Sequence, residues 1–458
     1  MRIPVRCFCA LTLFLFCFSF FPAAQRAHGF TVNESVSRSV LSNPEVQEKW
    51  YAFTASKEEQ EAARGGFRPR LDLNAGVGWE NLDGKGYDGR DQYDYTRNSV
   101  SLTLSQMIYD GNLTASQVKK LSHSKKMRYF DLLGTMEMVA LNAVKSHEDV
   151  VRYREMTLLA AENLKRHEML LKKIDDRTKA GVDSSVNLET TRGRLALAKV
   201  NLVTEESNLH DACTQYIRVV GEAPCAELEK SAVDIPLPGT PENAVDEALA
   251  NSPRLSSTME NALLYRSAAD EQRARMSPRL DLRAGLNFEN DVDGTEGRRD
   301  KAMVELLLRF NVFDGGSDRA TIRRYQELSK QTDETVKKTE REVRQSVLIA
   351  YNDILAIEAQ LPSLAQHQKS AEIMRQAYAQ QFEVGRRSLL DVLDAENEAY
   401  QAERAHKNAL VNLVITKARF LAERGELLSY FNVKREDVPA LQKADATRAS
   451  FASGEVGK

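Results

Sequence analysis

The chain has 458 residues, with 63 Lys and Arg against 66 Asp and Glu, a net charge of −3. Loss of Arg2, Arg6 and Arg26 with an N-terminal leader makes that balance more negative, which argues against nucleic acid as a partner. Beyond the leader no run reaches 18 apolar residues, so a membrane-spanning helix is excluded and only a closed barrel could cross a bilayer.

Residues 1–29 read as a secretory signal. Arg2 and Arg6 precede an apolar stretch from Cys7 to Phe21, and Ala27-His28-Gly29 offers small residues for cleavage before Phe30. Cys17 follows Phe16 rather than a small residue, so no lipid anchor is expected. Three of the five cysteines leave with the signal; Cys213 and Cys225 either close a small loop in an oxidising periplasm or stay as two buried thiols.

The mature chain reads as two copies of one unit, 30–239 and 240–436, followed by a disordered tail, 437–458. Pro69-Arg70-Leu71-Asp72-Leu73 recurs as Pro278-Arg279-Leu280-Asp281-Leu282, and Asn43-Pro44 recurs as Ser252-Pro253. Further on, Asp110-Gly111 maps onto Asp314-Gly315, Gly181 onto Gly385, and Gly221-Glu222 onto Gly425-Glu426. This period is too long for a solenoid or a heptad array.

Each copy reads helix, strand, loop, strand, very long helix, glycine turn, returning helix. The strands are expected near residues 70–80, 99–109, 279–289 and 302–313, alternating apolar with polar residues. Leu71, Leu73, Val77 and Trp79 face away from Asp72, Asn74 and Glu80; Leu280, Leu282, Leu286 and Phe288 do the same in the second copy. A soluble sheet lying on a core shows the same period. The lengths suit a tilted transmembrane strand, and Trp79 and Phe288 suit an aromatic belt. Asn81–Asn98 and Asn290–Lys301 read as extracellular loops. Four strands cannot close a barrel, so the barrel reading requires several protomers.

The long helices are expected over Asn112–Ala180 and Ser317–Val384, with Pro362 a kink or break in the second. Gly181 and Gly385 reverse the chain into helices ending near Val220 and Glu423. Ala395, Ala399, Ala402, Ala405 and Ala409 form a small-residue seam on the last of these. The seven histidines are scattered and no phosphate loop or cysteine-rich site exists, so an enzyme is not expected, nor any cofactor or metal.

One segment stands out: Val384-Gly385-Arg386-Arg387-Ser388-Leu389-Leu390-Asp391-Val392-Leu393-Asp394-Ala395. Asp391 and Asp394 share a helix face near its N-terminus, where the simplest role for two acids is to complement the helix dipole. In a symmetric oligomer they would form a charged ring. Together with the duplicated Pro openings, strand starts and Asp-Gly junctions, this segment resembles the TolC-like outer-membrane channel family from about Thr31 to Leu428. The resemblance implies an α+β membrane protein, a homotrimer whose 12-stranded β-barrel continues into a long α-helical coiled-coil tunnel in the periplasm. It implies outer-membrane lipid around the barrel, a periplasmic adaptor protein, and an inner-membrane export pump, ABC-type or other, as partners.

The same resemblance assigns Asp391 and Asp394 to the periplasmic aperture and Arg387 to a tip contact with a neighbouring protomer. The carboxylate that Arg387 meets in the family is Asn187 here, with Asp183 or Glu189 as substitutes. Gly181, Val182, Gly385 and Arg386 match the tips an adaptor grips. Type I protein secretion is the expected branch, from Arg387 to Asn397 and the absence of a lipid anchor. The alternatives are small-molecule efflux and, in another class, a soluble periplasmic coiled-coil scaffold.

Overall fold

The computed structural model describes residues 30–83, 92–224, 228–292 and 295–434. The signal, Cys225 and the tail therefore lie outside the described residues, and the choice between a Cys213–Cys225 bridge and two free thiols lies outside with them. Cys213 itself is half-buried against the central core.

The chain opens with α1 (Val32–Ser42) and α2 (Pro44–Arg64). Thr31 and Glu34 close a capping box on the first, and Asn43 caps the second with proline behind it. Then come β1 (Arg70–Asp83), β2 (Gln92–Tyr109), α3 (Leu113–Lys179) and α4 (Ser185–Val220). The same order follows as α5 (Pro241–Asn251), α6 (Pro253–Ala274), β3 (Arg279–Val292), β4 (Thr295–Arg309), α7 (Ser317–Glu383) and α8 (Leu389–Arg424), with a last turn, α9 (Leu427–Tyr430).

The two outgoing helices are each 67 residues and the two returning ones 36, so the two hairpins are matched in length. At ~1.5 Å per residue the long helices reach about 100 Å. Only half of α3 is covered by α4; its first half packs on α2 and α6. The main core sits where these coverings meet, near Leu132–Val150 of α3, Val336–Ile354 of α7 and Phe420 of α8. There His147 is fully buried, its Nε2 2.9 Å from the Glu229 carbonyl and its Nδ1 2.9 Å from the Ser35 hydroxyl. Burial pushes its pKa down, so the neutral ring donates through Nε2 and accepts at Nδ1. The buried imidazole is a structural clasp on the segment joining the two halves.

Pro362, a kink or break by the sequence, does not break α7: the helix runs through it. The missing N–H costs one helical bond, while α8 packs on α7 before the proline, at Tyr351 and Glu358, and after it, at Ala371. The alanine seam is shorter than expected. Ala395, Ala399 and Ala402 are buried, but Ala405 is exposed and Ala409 only half-buried.

The four strands form one antiparallel sheet in the order β1-β2-β3-β4. The register matches apolar to apolar: Leu73 faces Leu102, Leu102 faces Leu286, and Leu282 faces Leu306. Leu71, Leu73, Val77, Trp79, Val304, Leu306 and Leu308 are all exposed, so among the described residues no core lies beneath this face. That excludes the soluble-sheet reading for the protomer alone. From Leu71 to Trp79 the band spans about 26 Å at ~3.3 Å per residue, the height of a lipid-facing belt. A second set of exposed aromatics, Tyr109 and Phe310, marks its other end.

The strands run further into their connecting segments than expected, while the fourth, expected to reach residue 313, ends at Arg309. Residues 92–98 and 295–301, read as loop, belong to β2 and β4. Polar cross-strand pairs sustain the ladder beyond the apolar band: Arg97 lies 3.0 Å from Glu80, and Arg299 2.8 Å from Glu289.

The Asp-Gly junctions turn sheet into helix. The Thr114 N–H donates to Asp110 at 2.8 Å and the Asp318 N–H to Asp314 at 2.6 Å, so each aspartate satisfies a first-turn donor of a long helix. Gly111 has φ +64°, and a Cβ there would lie 2.0 Å from the Ser277 Cβ.

Candidate functional site: the hairpin tips

Both tips close through left-handed glycines, Gly181 at φ +73° and Gly385 at φ +72°. The Val182 N–H donates to the Arg177 carbonyl at 2.9 Å and the Arg386 N–H to that of Gln381 at 2.8 Å, the paired geometry that ends a helix at glycine. Val182 and Val384 stand exposed at the two extremities.

At the first tip Asp183 gathers the local donors. Its carboxylate accepts from the Asn187 side chain at 2.5 Å and the Ser184 N–H at 2.9 Å, with Arg177 at 3.5 Å. Glu189 is taken by Arg192, 2.6 Å away. At the second tip the Arg387 guanidinium lies over the Tyr378 ring at 4.1 Å and donates to Gln381 at 3.1 Å. Within one protomer, therefore, Arg387 and Asn187 each hold a partner on their own hairpin and do not meet.

Asp391 occupies the third helical position of α8 and closes a capping box. It accepts from the Ser388 N–H at 3.2 Å and the Ser388 hydroxyl at 2.9 Å, while its own N–H donates back to that hydroxyl. These bonds, with Arg387 at 3.9 Å, hold its carboxyl below the usual range. Asp394, one turn on, is 61% exposed and lies 3.0 Å from Arg194 of α4.

The two tips are zipped together by Ile174, Phe382, Leu389, Val392 and Leu393, with Leu170, Leu188 and Tyr378 around them. Arg177 lies 5.1 Å from the Phe382 ring centre, and Lys173 pairs with Glu383. Higher up, buried Glu396 sits 3.1 Å from both Arg166 and Arg375, and buried Glu205 2.5 Å from Arg404. Arg194, Arg177, Lys173 and Tyr378 carried no signal in the sequence, because their significance lies in which helices stand side by side. Among the described residues no His, Cys, Asp and Glu group could hold a metal ion, and no helix is long and apolar enough to cross a membrane.

The outer membrane efflux protein pattern matches residues 36–222 and 244–422. The chain belongs to the outer membrane efflux protein family. It is 22% identical to outer membrane efflux protein BepC of Brucella suis biovar 1 (strain 1330), over 88% of this chain and 87% of that protein. It is 24% identical to outer membrane protein TolC of Escherichia coli (strain K12), over 88% and 83%. With proteases secretion protein PrtF of Dickeya chrysanthemi it shares 23% identity over 76% and 78%. The fold matches the Campylobacter jejuni CmeC outer membrane channel with a TM-score of 0.78 at 13% identity, covering 92% of this chain and 89% of that one. Membership in the outer membrane efflux family makes the chain an outer-membrane export-channel component reaching into the periplasm, and sets aside the soluble scaffold.

Proposed function

We propose that three copies join edge to edge, β4 of one pairing with β1 of the next, to close a 12-stranded barrel in the outer membrane. The observation that carries this reading is a sheet with both edges open and one exposed, continuous apolar face. An open edge in lipid leaves N–H and C=O groups without partners, which closure removes. The hairpins of the three copies then continue the barrel as a periplasmic tunnel.

Asp391 and Asp394 line its periplasmic aperture, and Arg387, Asn187 and Asp183 make the contacts that hold it narrow. The Gly181-Val182 and Gly385-Arg386 tips receive a periplasmic adaptor, which joins the conduit to an inner-membrane pump. The conduit is passive, so its partners choose the cargo.

The cargo is protein, exported by type I secretion. The segment from Arg387 to Asn397 supports this branch, as does the relative named for protease secretion. Small-molecule efflux is the second reading, favoured by the relative named as an efflux protein. Comparing the culture medium of a deletion strain with its parent separates them. The expected result is loss of one or a few large secreted proteins; an unchanged medium with greater sensitivity to small toxic compounds would establish efflux instead.

A further inference from the structure

We propose that Arg194 sets the charge of the aperture by screening Asp394, an inference that rests on the reading of Asp391 and Asp394 as aperture acids. The two residues stand 200 positions apart, on the returning helices of different hairpins, with Arg194 Nη2 3.0 Å from Asp394 Oδ1. Their exposures differ: Asp394 is 61% open to solvent, while the Arg194 side chain is only 33% open, held in the groove between α4 and α8. On the aperture reading the acid is the member of the pair open to the passage, and the base is the more enclosed of the two. Arg192, two residues earlier, pairs along its own helix with Glu189, whereas Arg194 reaches across the seam to the acid of the other hairpin.

A guanidinium at this distance replaces the field of a free carboxylate with that of a dipole, which falls off faster with distance. An exposed ion pair adds little stability, so its consequence lies in the field at the aperture rather than in the fold. In three copies, Arg194 would cancel three of the six aperture charges and lower the affinity for multivalent cations. It is a positioning and specificity residue acting through Asp394, with no contact to cargo required.

The test uses the full-length protein in planar bilayers, with hexamminecobalt(III) added from the periplasmic side. Arg194→Ala should bring half-block at roughly tenfold lower concentration, with Arg194→Lys close to the parent. In an Asp394→Asn background Arg194→Ala should change nothing further, because its effect runs through that carboxylate. If Asp394→Asn weakens block while Arg194→Ala leaves it unchanged or weakens it too, the screening role is wrong though the aperture stands. If neither Asp391→Asn nor Asp394→Asn alters block, the aperture assignment itself is wrong.

Discussion

Arginine at both Val304 and Leu306 removes this protein from the outer membrane. The two side chains are 75% and 66% exposed on the apolar face of β4 and touch no core of their own protomer. In water a polar replacement there would be nearly neutral. Facing lipid, each arginine costs about 2–4 kcal/mol near the bilayer midplane, and less towards the interfaces. Six arginines in a trimer would then cost roughly 12–24 kcal/mol, comparable to or above the whole stability of an ordinary domain, about 5–15 kcal/mol.

The matched control is Ser101→Arg with Thr103→Arg on the opposite face of β2, where the cross-strand partners are Asn74 and Asp72. That pair should still insert, since lumen-facing positions tolerate charge. Recovery in the membrane fraction, with trimers scored by heat-sensitive migration, reads both. Loss of the Ser101 and Thr103 pair with survival of the other would turn the sheet inside out.

The second large effect concerns Glu137, a carboxylate of α3 that is only 5% exposed. It accepts the N–H groups of Leu427 at 3.1 Å and Leu428 at 3.4 Å, tying α9 to the centre of the molecule. Burial dominates its environment and pushes its pKa up to about 8; the two N–H donors oppose that shift and nearby Glu426 adds to it.

A folded pKa above the unfolded value of about 4.5 means the folded chain keeps a proton that the unfolded chain has lost. Stability from this group is therefore complete below pH ~4.5 and falls as pH rises, levelling above pH ~8, by at most about 5 kcal/mol per protomer. Glu137→Gln keeps an acceptor oxygen without the charge. Its apparent melting temperature should exceed the parent's at pH 8.5 and match it near pH 4.5. Equal dependence on pH in both proteins would show that Glu137 stays ionised in the assembly.

Much of this architecture was legible in the sequence because each element carries its own period. The strand alternation named the apolar face correctly, and Gly181 and Gly385 marked the turns, since only glycine enters the left-handed region freely. The strand ends were misread because residues 92–98 and 295–301 look like loop by composition. They are held by cross-strand charge pairs such as Arg97–Glu80. Pro362 does not end α7 for a related reason: packing along α8 outweighs one missing N–H.

The tips were legible only in part. Asp391 and Asp394 stood out by spacing, but their surroundings differ in ways that spacing does not encode. Asp391 is absorbed into a capping box on its own helix, whereas Asp394 meets an arginine from the other hairpin. Pairings such as Arg194–Asp394 and Arg404–Glu205 depend on the lateral order of α4 and α8, which no local pattern in either helix records.

The trimer proposed here joins three chains, each with a four-stranded sheet open at both edges, into one barrel. The mass of the detergent-extracted protein tests it most directly, measured by native mass spectrometry after the detergent is stripped away. A single species of three mature chains, stable to dilution, is expected. A monomer, a dimer or a tetramer would contradict it.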